Sequence, residues 1–361
     1  MKQINCFEPH IGTNEISNVV GTLASGKIGY GEKVKEFEKA VSEMTNSWAL
    51  AYSSASAAAF AVFTRLYELH GACLVVTPSL TFASPVWAAK QAGHSIHYID
   101  VGTDCVWSAN EYRKLRSFRS FSEKIVVMPM LYGGVTGKGR DFGFVGDEIV
   151  VVDSAHCLKP QVKFDYAFLS FHSQKPLAMA QGGALLLDSD NWDQLLWFMR
   201  FKDFGRERSG MTYKIIQNGF KFYMDNLNAS IGLAQYQYVW EHVNTRKDNF
   251  TNLACEFDYE RLGRFVPHDE GSSYYLCTFI LKDRFKNDEL IAHLKRRGIQ
   301  ATFHYPELHK SPSMRTDTAE VFESLPVTEF YQTQLVNLPI HQNLTNNDIE
   351  RIAGALNEFE K

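Results

Sequence analysis

No pair of cysteines in the chain is spaced as CxxC; the six, Cys6, Cys73, Cys105, Cys157, Cys255 and Cys277, are scattered through 361 residues. That scatter argues against a zinc ribbon or a disulfide framework and for free thiols in a reducing cytoplasm, so no metal is expected. Cys157 reads as a small buried apolar residue. No apolar run is long enough to span a bilayer, and the opening Met1-Lys-Gln-Ile-Asn-Cys-Phe-Glu8 lacks the apolar core of a signal peptide, so a cytoplasmic location is expected. Charge of one sign is nowhere concentrated: 37 Lys and Arg face 41 Asp and Glu, a net charge of -4, which makes nucleic acid and anionic membrane poor partners. Internal repeats and low-complexity segments are also missing. What remains is ordinary for a globular protein, 45% hydrophobic and 22% charged, with 26 Phe suited to a large core or an extensive subunit interface. The length predicts two domains, one large and one small.

Glu15 to Ala24 has helical spacing, and Val34, Phe37, Val41 and Met44 form one face of a second helix. The texture then becomes strand, turn, helix. Trp48–Tyr52, Cys73–Thr77, Ser95–Ile99, Ile125–Met128 and Ile149–Val152 read as buried strands, with a helix from Ala57 to Leu69. Continuous apolar strands separated by helices imply a mainly parallel sheet covered on both faces. A charged helical stretch from Gln235 to Phe250 leads into a second region, which sets the expected domains at 1–240 and 241–361. That region holds a strand at Tyr274–Ile280, a helix at Asp288–Arg297, a strand candidate at Gln300–His304, and a terminal helix capped by Thr345 with Asp348 in its first turn.

The chemistry concentrates between Asp165 and Asp188. One apolar run enters this segment, a second leaves it, and Lys175 and the pair Gly182-Gly183 lie between. A lysine between strands is ordinarily a solvated loop residue. Held among buried strands it loses hydration, which favours the neutral, nucleophilic amine needed for Schiff-base formation with a carbonyl cofactor. Upstream, Glu148-Ile-Val-Val-Val-Asp-Ser-Ala-His156 ends a strand in Asp153, and a carboxylate is what a pyridoxal phosphate ring needs beside its pyridinium nitrogen. His156 follows closely enough to face the same cavity, although a core histidine with its hydrogen bonds satisfied explains it equally well. Ser53-Ser-Ala-Ser-Ala-Ala-Ala59 joins a strand to a helix with small side chains only. Exposed amides at such a helix N-terminus make an anion site, though close packing is the commoner reason for small residues there. Pro78-Ser-Leu-Thr-Phe-Ala-Ser84 follows the next strand, where Phe82 could stack on a cofactor ring.

In this order the segments resemble the nucleotide-sugar aminotransferases of the DegT/DnrJ/EryC1/StrS family. The resemblance runs from Glu8-Pro-His-Ile-Gly-Thr-Asn-Glu15 and Gly31-Glu-Lys-Val-Lys-Glu-Phe-Glu38 to Phe303-His-Tyr-Pro-Glu-Leu-His309 and Val336-Asn-Leu-Pro-Ile-His341. Its most specific part is Ser170-Phe-His-Ser-Gln-Lys175 followed by Gly182-Gly183, similar to the family's Ser-Phe-His-x-x-Lys…Glu-Gly-Gly block. The resemblance implies an α/β fold-type-I pyridoxal 5'-phosphate enzyme, aspartate-aminotransferase-like, with a seven-stranded, mostly parallel sheet and a smaller C-terminal α/β domain. It implies a homodimer with shared active sites that moves an amino group from L-glutamate to a nucleotide-linked keto-6-deoxyhexose for surface polysaccharide or glycoconjugate synthesis, with dTDP-4-keto-6-deoxyglucose the first substrate guess. It further implies that Lys175 binds the cofactor covalently, Asp153 holds its ring nitrogen, and Ala55, Ser56 and Ser170 hold its phosphate. Phe82 would stack on the ring, and His156 stands where the family commonly has a glutamine near the cofactor hydroxyl. Within Gly219-Phe-Lys-Phe-Tyr-Met224, Lys221 replaces an asparagine that crosses to the partner's phosphate, and Tyr223 replaces an arginine. Gln181 stands for a usual Glu and Ala55 for a usual Gly, and these departures bear on sugar specificity. Two other readings are a dehydratase of the same fold, whose histidine at the lysine position is contradicted by Lys175, and a non-catalytic cofactor-binding homologue.

Overall fold

A computed structural model describes residues 2–118, 122–188, 191–314 and 324–359. Seven strands form the central sheet: β1 (Trp48–Tyr52), β2 (Leu74–Pro78), β3 (Ser95–Ile99), β4 (Ile125–Val127), β5 (Ile149–Asp153), β6 (Tyr166–Ser170) and β7 (Gly183–Leu187). Their order is β1-β7-β6-β5-β4-β2-β3, and β7 alone runs against its neighbours. Strands β2, β4 and β7 are buried along their whole length, as apolar runs covered on both faces must be. The covering helices are α1 (Thr13–Ala24), α2 (Glu32–Thr45), α3 (Ala55–His70), α4 (Ala83–Gln91), α5 (Ala109–Phe118), α6 (Trp192–Phe201) and α7 (Asn226–Tyr236). One apolar cluster, with Phe37, Val41, Leu169 and Phe171, fills one side of the sheet. A second, with Phe63, Leu66, Phe168 and Phe198, fills the other.

The helix expected from Gln235 to Phe250 is two helices. Helix α7 ends at Tyr236, and α8 runs from Val239 to Glu256. Between α6 and α7 lies a hairpin of β8 (Arg206–Ser209) and β9 (Thr212–Ile215), and beyond a short α9 (Tyr259–Leu262) a three-stranded antiparallel sheet of order β10-β11-β12 follows, from Gly263–Phe265, Cys277–Leu281 and Leu335–Leu338. Helices α10 (Asn287–Arg296), α11 (Pro326–Gln334) and α12 (Asn346–Asn357) accompany it, around an apolar cluster that includes Leu253, Phe279, Leu294 and Ile352. Thr345 caps α12 as expected: its hydroxyl accepts from the Asp348 amide at 3.2 Å and donates to the Asp348 carboxylate at 2.8 Å. Gln300–His304 forms no strand. Thr302 alone bridges to Asn337, after which the chain turns away from the sheet edge. Among the described residues no helix is long and apolar enough to cross a membrane.

Candidate active site

The carboxyl-terminal ends of the parallel strands, where ligands of open α/β sheets bind, surround a cavity of about 330 Å³. Asp153 ends β5 at this edge. Its backbone N–H donates to Pro129 and its carbonyl accepts from Leu131, both at 3.0 Å, so the strand end is held from the β4 side. The side chain is 1% exposed, and its Oδ1 accepts from the Ala155 N–H at 3.0 Å. Burial pushes the Asp153 carboxyl up to about 6, against the opposing pull of the Ala155 amide and of Lys175.

Lys175 lies on the connection between β6 and β7. Phe171 anchors both ends of that connection, donating to Gly182 at 2.9 Å and accepting from Met179 at 2.8 Å. A turn in which the Lys175 amide donates to His172 at 2.8 Å aims the side chain into the cavity. Its ammonium sits 4.1 Å from the centroid of the Tyr275 ring. Loss of hydration lowers its pKa to about 7, and the Asp153 charge only partly offsets this. A substantial share of the amine is therefore neutral at physiological pH, the form a nucleophile needs.

The opposite wall is backbone. Helices α3 and α4 both begin at the cavity, with Ala55 and Ser56 in the first turn of one and Phe82 and Ser84 at the start of the other. Ser54 caps α3 through the Ala57 N–H at 3.1 Å, and the Ser56 and Ser84 hydroxyls bond each other across the two helix starts. Two helix N-termini and two hydroxyls make a cradle for an anion. The Gly-Gly pair explains how β7 comes so close: a Cβ on Gly183 would stand 2.2 Å from the Ala55 nitrogen. Phe82, 53% exposed at the mouth, lies 5.7 Å from the Tyr305 ring.

Ala55, Ser56, Phe82, Asp153, His156, Ser170 and Lys175 thus line one cavity. Lys221 does not. It is exposed beside the β1 edge, where Tyr223 bridges to Tyr52, and its ammonium lies 5.8 Å from the Tyr223 ring. His156 is buried with both ring nitrogens engaged: Nδ1 accepts from the Gly133 N–H at 3.2 Å, so Nε2 donates to the Tyr305 hydroxyl at 2.8 Å. Burial, with Lys175 and His304 nearby, holds this imidazole neutral. Sequence reasoning overlooked Tyr275, His304, Tyr305 and His172 as lining residues. The first three come from segments more than 90 residues downstream, and the one signal was the block Phe303-His-Tyr-Pro306, whose side chains carry no local mark of a site.

The arrangement defines a class: an α/β enzyme with a buried carboxylate, a lysine of depressed pKa and an anion cradle in one cavity. The model of the DegT/DnrJ/EryC1/StrS aminotransferase family matches residues 9–357, and the chain belongs to that family. Its members are pyridoxal-phosphate-dependent, and so is this sugar aminotransferase. Among solved structures the chain is similar to Spr1654 from Streptococcus pneumoniae in its PMP-form, with 22% identity and a TM-score of 0.87 over 98% of this chain and 97% of that one. It is also similar to PseC of Helicobacter pylori, an aminotransferase involved in the biosynthesis of pseudoaminic acid, with 19% identity and a TM-score of 0.87 over 98% of each chain. A third is the aminotransferase TlmJ from Streptoalloteichus hindustanus, with 23% identity and a TM-score of 0.84 over 98% of each chain. The residues present fit pyridoxal phosphate: Asp153 is buried, Lys175 is the cation that acts on it among the described residues, and Ser54, Ala55 and Ser56 at the start of α3 line the same cavity.

Proposed function

We propose that this enzyme moves an amino group from L-glutamate to a nucleotide-linked keto-6-deoxyhexose, with dTDP-4-keto-6-deoxyglucose the first substrate to test, in cytoplasmic synthesis of surface polysaccharide such as O-antigen. The observation that carries the reading is the pairing of Asp153 and Lys175, one pushed up to about 6 and the other down to about 7, in a single cavity. Bound pyridoxal phosphate supplies an electron sink for the charge left when a proton is removed from carbon. Asp153 keeps the ring nitrogen protonated. Lys175 would hold the cofactor covalently, and its free Nζ would take and return the proton at the donor carbon. Ser56, Ser170 and the amides at Ala55 hold the phosphate, and Phe82 covers the ring face. His156, with both nitrogens engaged, acts through its ring face and through Tyr305.

The working unit in this reading is a homodimer, with residues 241–361 forming the small domain of each subunit. In support, Ile16, Val20 and Leu23 leave an apolar stripe on α1 more than half exposed in the single chain. Lys221 of each subunit then reaches the other's phosphate. A charge-assisted contact of that kind contributes roughly 1.5–3 kcal/mol, so Lys221→Ala should loosen the cofactor about tenfold or more and make its retention depend on the dimer. The test of the whole reading is a screen of the pyridoxamine form against several nucleotide keto sugars, with products identified by mass and NMR. An amino sugar formed with consumption of glutamate is the expected result, and loss of a sugar hydroxyl without nitrogen transfer would favour the dehydratase reading instead.

A further inference from the structure

His304 lines the cavity beside Lys175, and among the described residues the hydrogen bonds of its ring fall on Nδ1. Its Nδ1 is held. The Asn337 side-chain amide donates to Nδ1 at 2.9 Å, and the Thr302 hydroxyl stands 3.4 Å from the same nitrogen. Asn337 is fully buried, and its Oδ1 accepts from the Thr278 hydroxyl at 2.8 Å, which leaves its N–H group facing His304. Its backbone exchanges both hydrogen bonds with Thr302, at 2.8 and 3.1 Å. The backbone of His304 is fixed as well, its carbonyl accepting from the Tyr132 hydroxyl at 2.6 Å. An imidazole whose Nδ1 receives an N–H must carry its own proton on Nε2. Burial and the nearby Lys175 lower the His304 pKa to about 4, so the ring stays neutral through the physiological range.

The adjacent residue is built the same way. Tyr305 accepts from His156 Nε2, whose tautomer is set by the Gly133 amide, and so its own phenolic proton is left to donate elsewhere. Two consecutive residues therefore present neutral donors to the cavity, each locked from behind by a different strand or turn. We propose that Asn337 is a positioning residue for sugar recognition: it fixes His304 as an Nε2–H donor that, with the Tyr305 hydroxyl, binds an acceptor oxygen on the keto sugar near the reacting carbon. This rests on the reading that a keto sugar enters this cavity. A site built to donate to a substrate oxygen discriminates strongly, because the buried donor is left unpaired when the oxygen is missing or reversed in polarity.

Asn337→Asp keeps the shape and reverses the lock. A carboxylate beside Nδ1 draws the proton to that nitrogen and turns Nε2 from donor to acceptor. Two measurements decide the matter. Nitrogen-15 NMR of the imidazole rings, with the His304 signal assigned through His304→Gln, should show the Nε2–H tautomer in the parent holoenzyme and Nδ1–H in Asn337→Asp. Pre-steady-state kinetics should then show the glutamate half-reaction within about twofold of the parent, while KM for the keto sugar rises about tenfold or more. His304→Gln, which can still offer an N–H, should retain more sugar affinity than His304→Leu. An Nδ1–H tautomer in the parent would overturn the proposal, as would equal losses in both half-reactions of Asn337→Asp or none in either. A parent that aminates no nucleotide keto sugar would overturn the proposed function, and the NMR result would still decide the donor assignment of His304.

Discussion

Lys202 is buried and Lys175 partly so, and their surroundings could hardly differ more. Lys202, 2% exposed beneath the β1 edge, donates to the Glu38 carboxylate and to the Ala51 carbonyl at 3.0 Å. Glu38 in turn accepts from the Ala51 N–H at 2.8 Å, so every charge there is matched by a bonded partner. Lys175 has an aromatic face at 4.1 Å and a carboxylate that acts on it only through its field. Burial with hydrogen-bonded counter-charge makes a lysine part of the scaffold. Burial with too little compensation makes it reactive. Lys202 is the more deeply buried of the two, so the difference lies in the partners that each side chain finds.

The largest effect that would sharpen this contrast is on turnover. On the proposed roles Lys175→Ala removes both the covalent anchor and the proton carrier, and a loss of roughly 10³-fold or more in transamination is expected, from a protein that still folds. The mirror experiment is Lys202→Met, which leaves the partly buried Glu38 carboxylate without its cation and should cost about 1–3 kcal/mol of stability while leaving the rate per folded molecule near that of the parent. Chemical denaturation of Lys202→Met and of the double variant Lys202→Met/Glu38→Leu checks the reasoning, since the second change removes the stranded charge and should recover much of the loss.

A smaller effect concerns pH. In the cofactor-free protein the Asp153 pKa is raised from 3.8 to about 6, so between those values the folded state holds the extra proton and stability falls as pH rises. The Lys175 pKa is lowered from 10.5 to about 7, so above pH 7 the unfolded state holds the extra proton and stability climbs with pH. The pair therefore contributes least near pH 6–7. Asp153→Asn without cofactor should be more stable than the parent at pH 7 by about 1–3 kcal/mol, read as a higher melting temperature. The same substitution should slow single-turnover chemistry about 10²–10³-fold. A variant that is slower and also less stable would mean that Asp153 serves the fold.

Much of this architecture was legible before any coordinates. Trp48–Tyr52 and Ser95–Ile99 are strands with the expected bounds, because continuous apolar runs between turn residues leave little alternative. Part of the cavity lining was equally clear, since Asp153 is a charge placed where an apolar run stops and Lys175 lies between two such runs. Other features carried no such signal. The hairpin β8–β9 (Arg206–Ser209 and Thr212–Ile215) has four exposed residues in its second strand, so it has no buried face to impose a period of two. Gln300–His304 alternates like a strand, but its ladder stops at Thr302, and the next two residues are spent on delivering His304 and Tyr305 to the cavity. The break between α7 and α8 falls at Gln237 and Tyr238, with neither glycine nor proline to mark it. His304, Tyr305 and Tyr275 were missed for a different reason: they join the site through long-range packing, which a local pattern cannot reveal.

The contrast between the two lysines is tested most directly by trapping the holoenzyme with borohydride, digesting it and locating the modified peptide by mass spectrometry. The cofactor should be found on Lys175 alone, in the peptide that contains Ser170-Phe-His-Ser-Gln-Lys175. Attachment at Lys202 or at any other lysine would contradict the account.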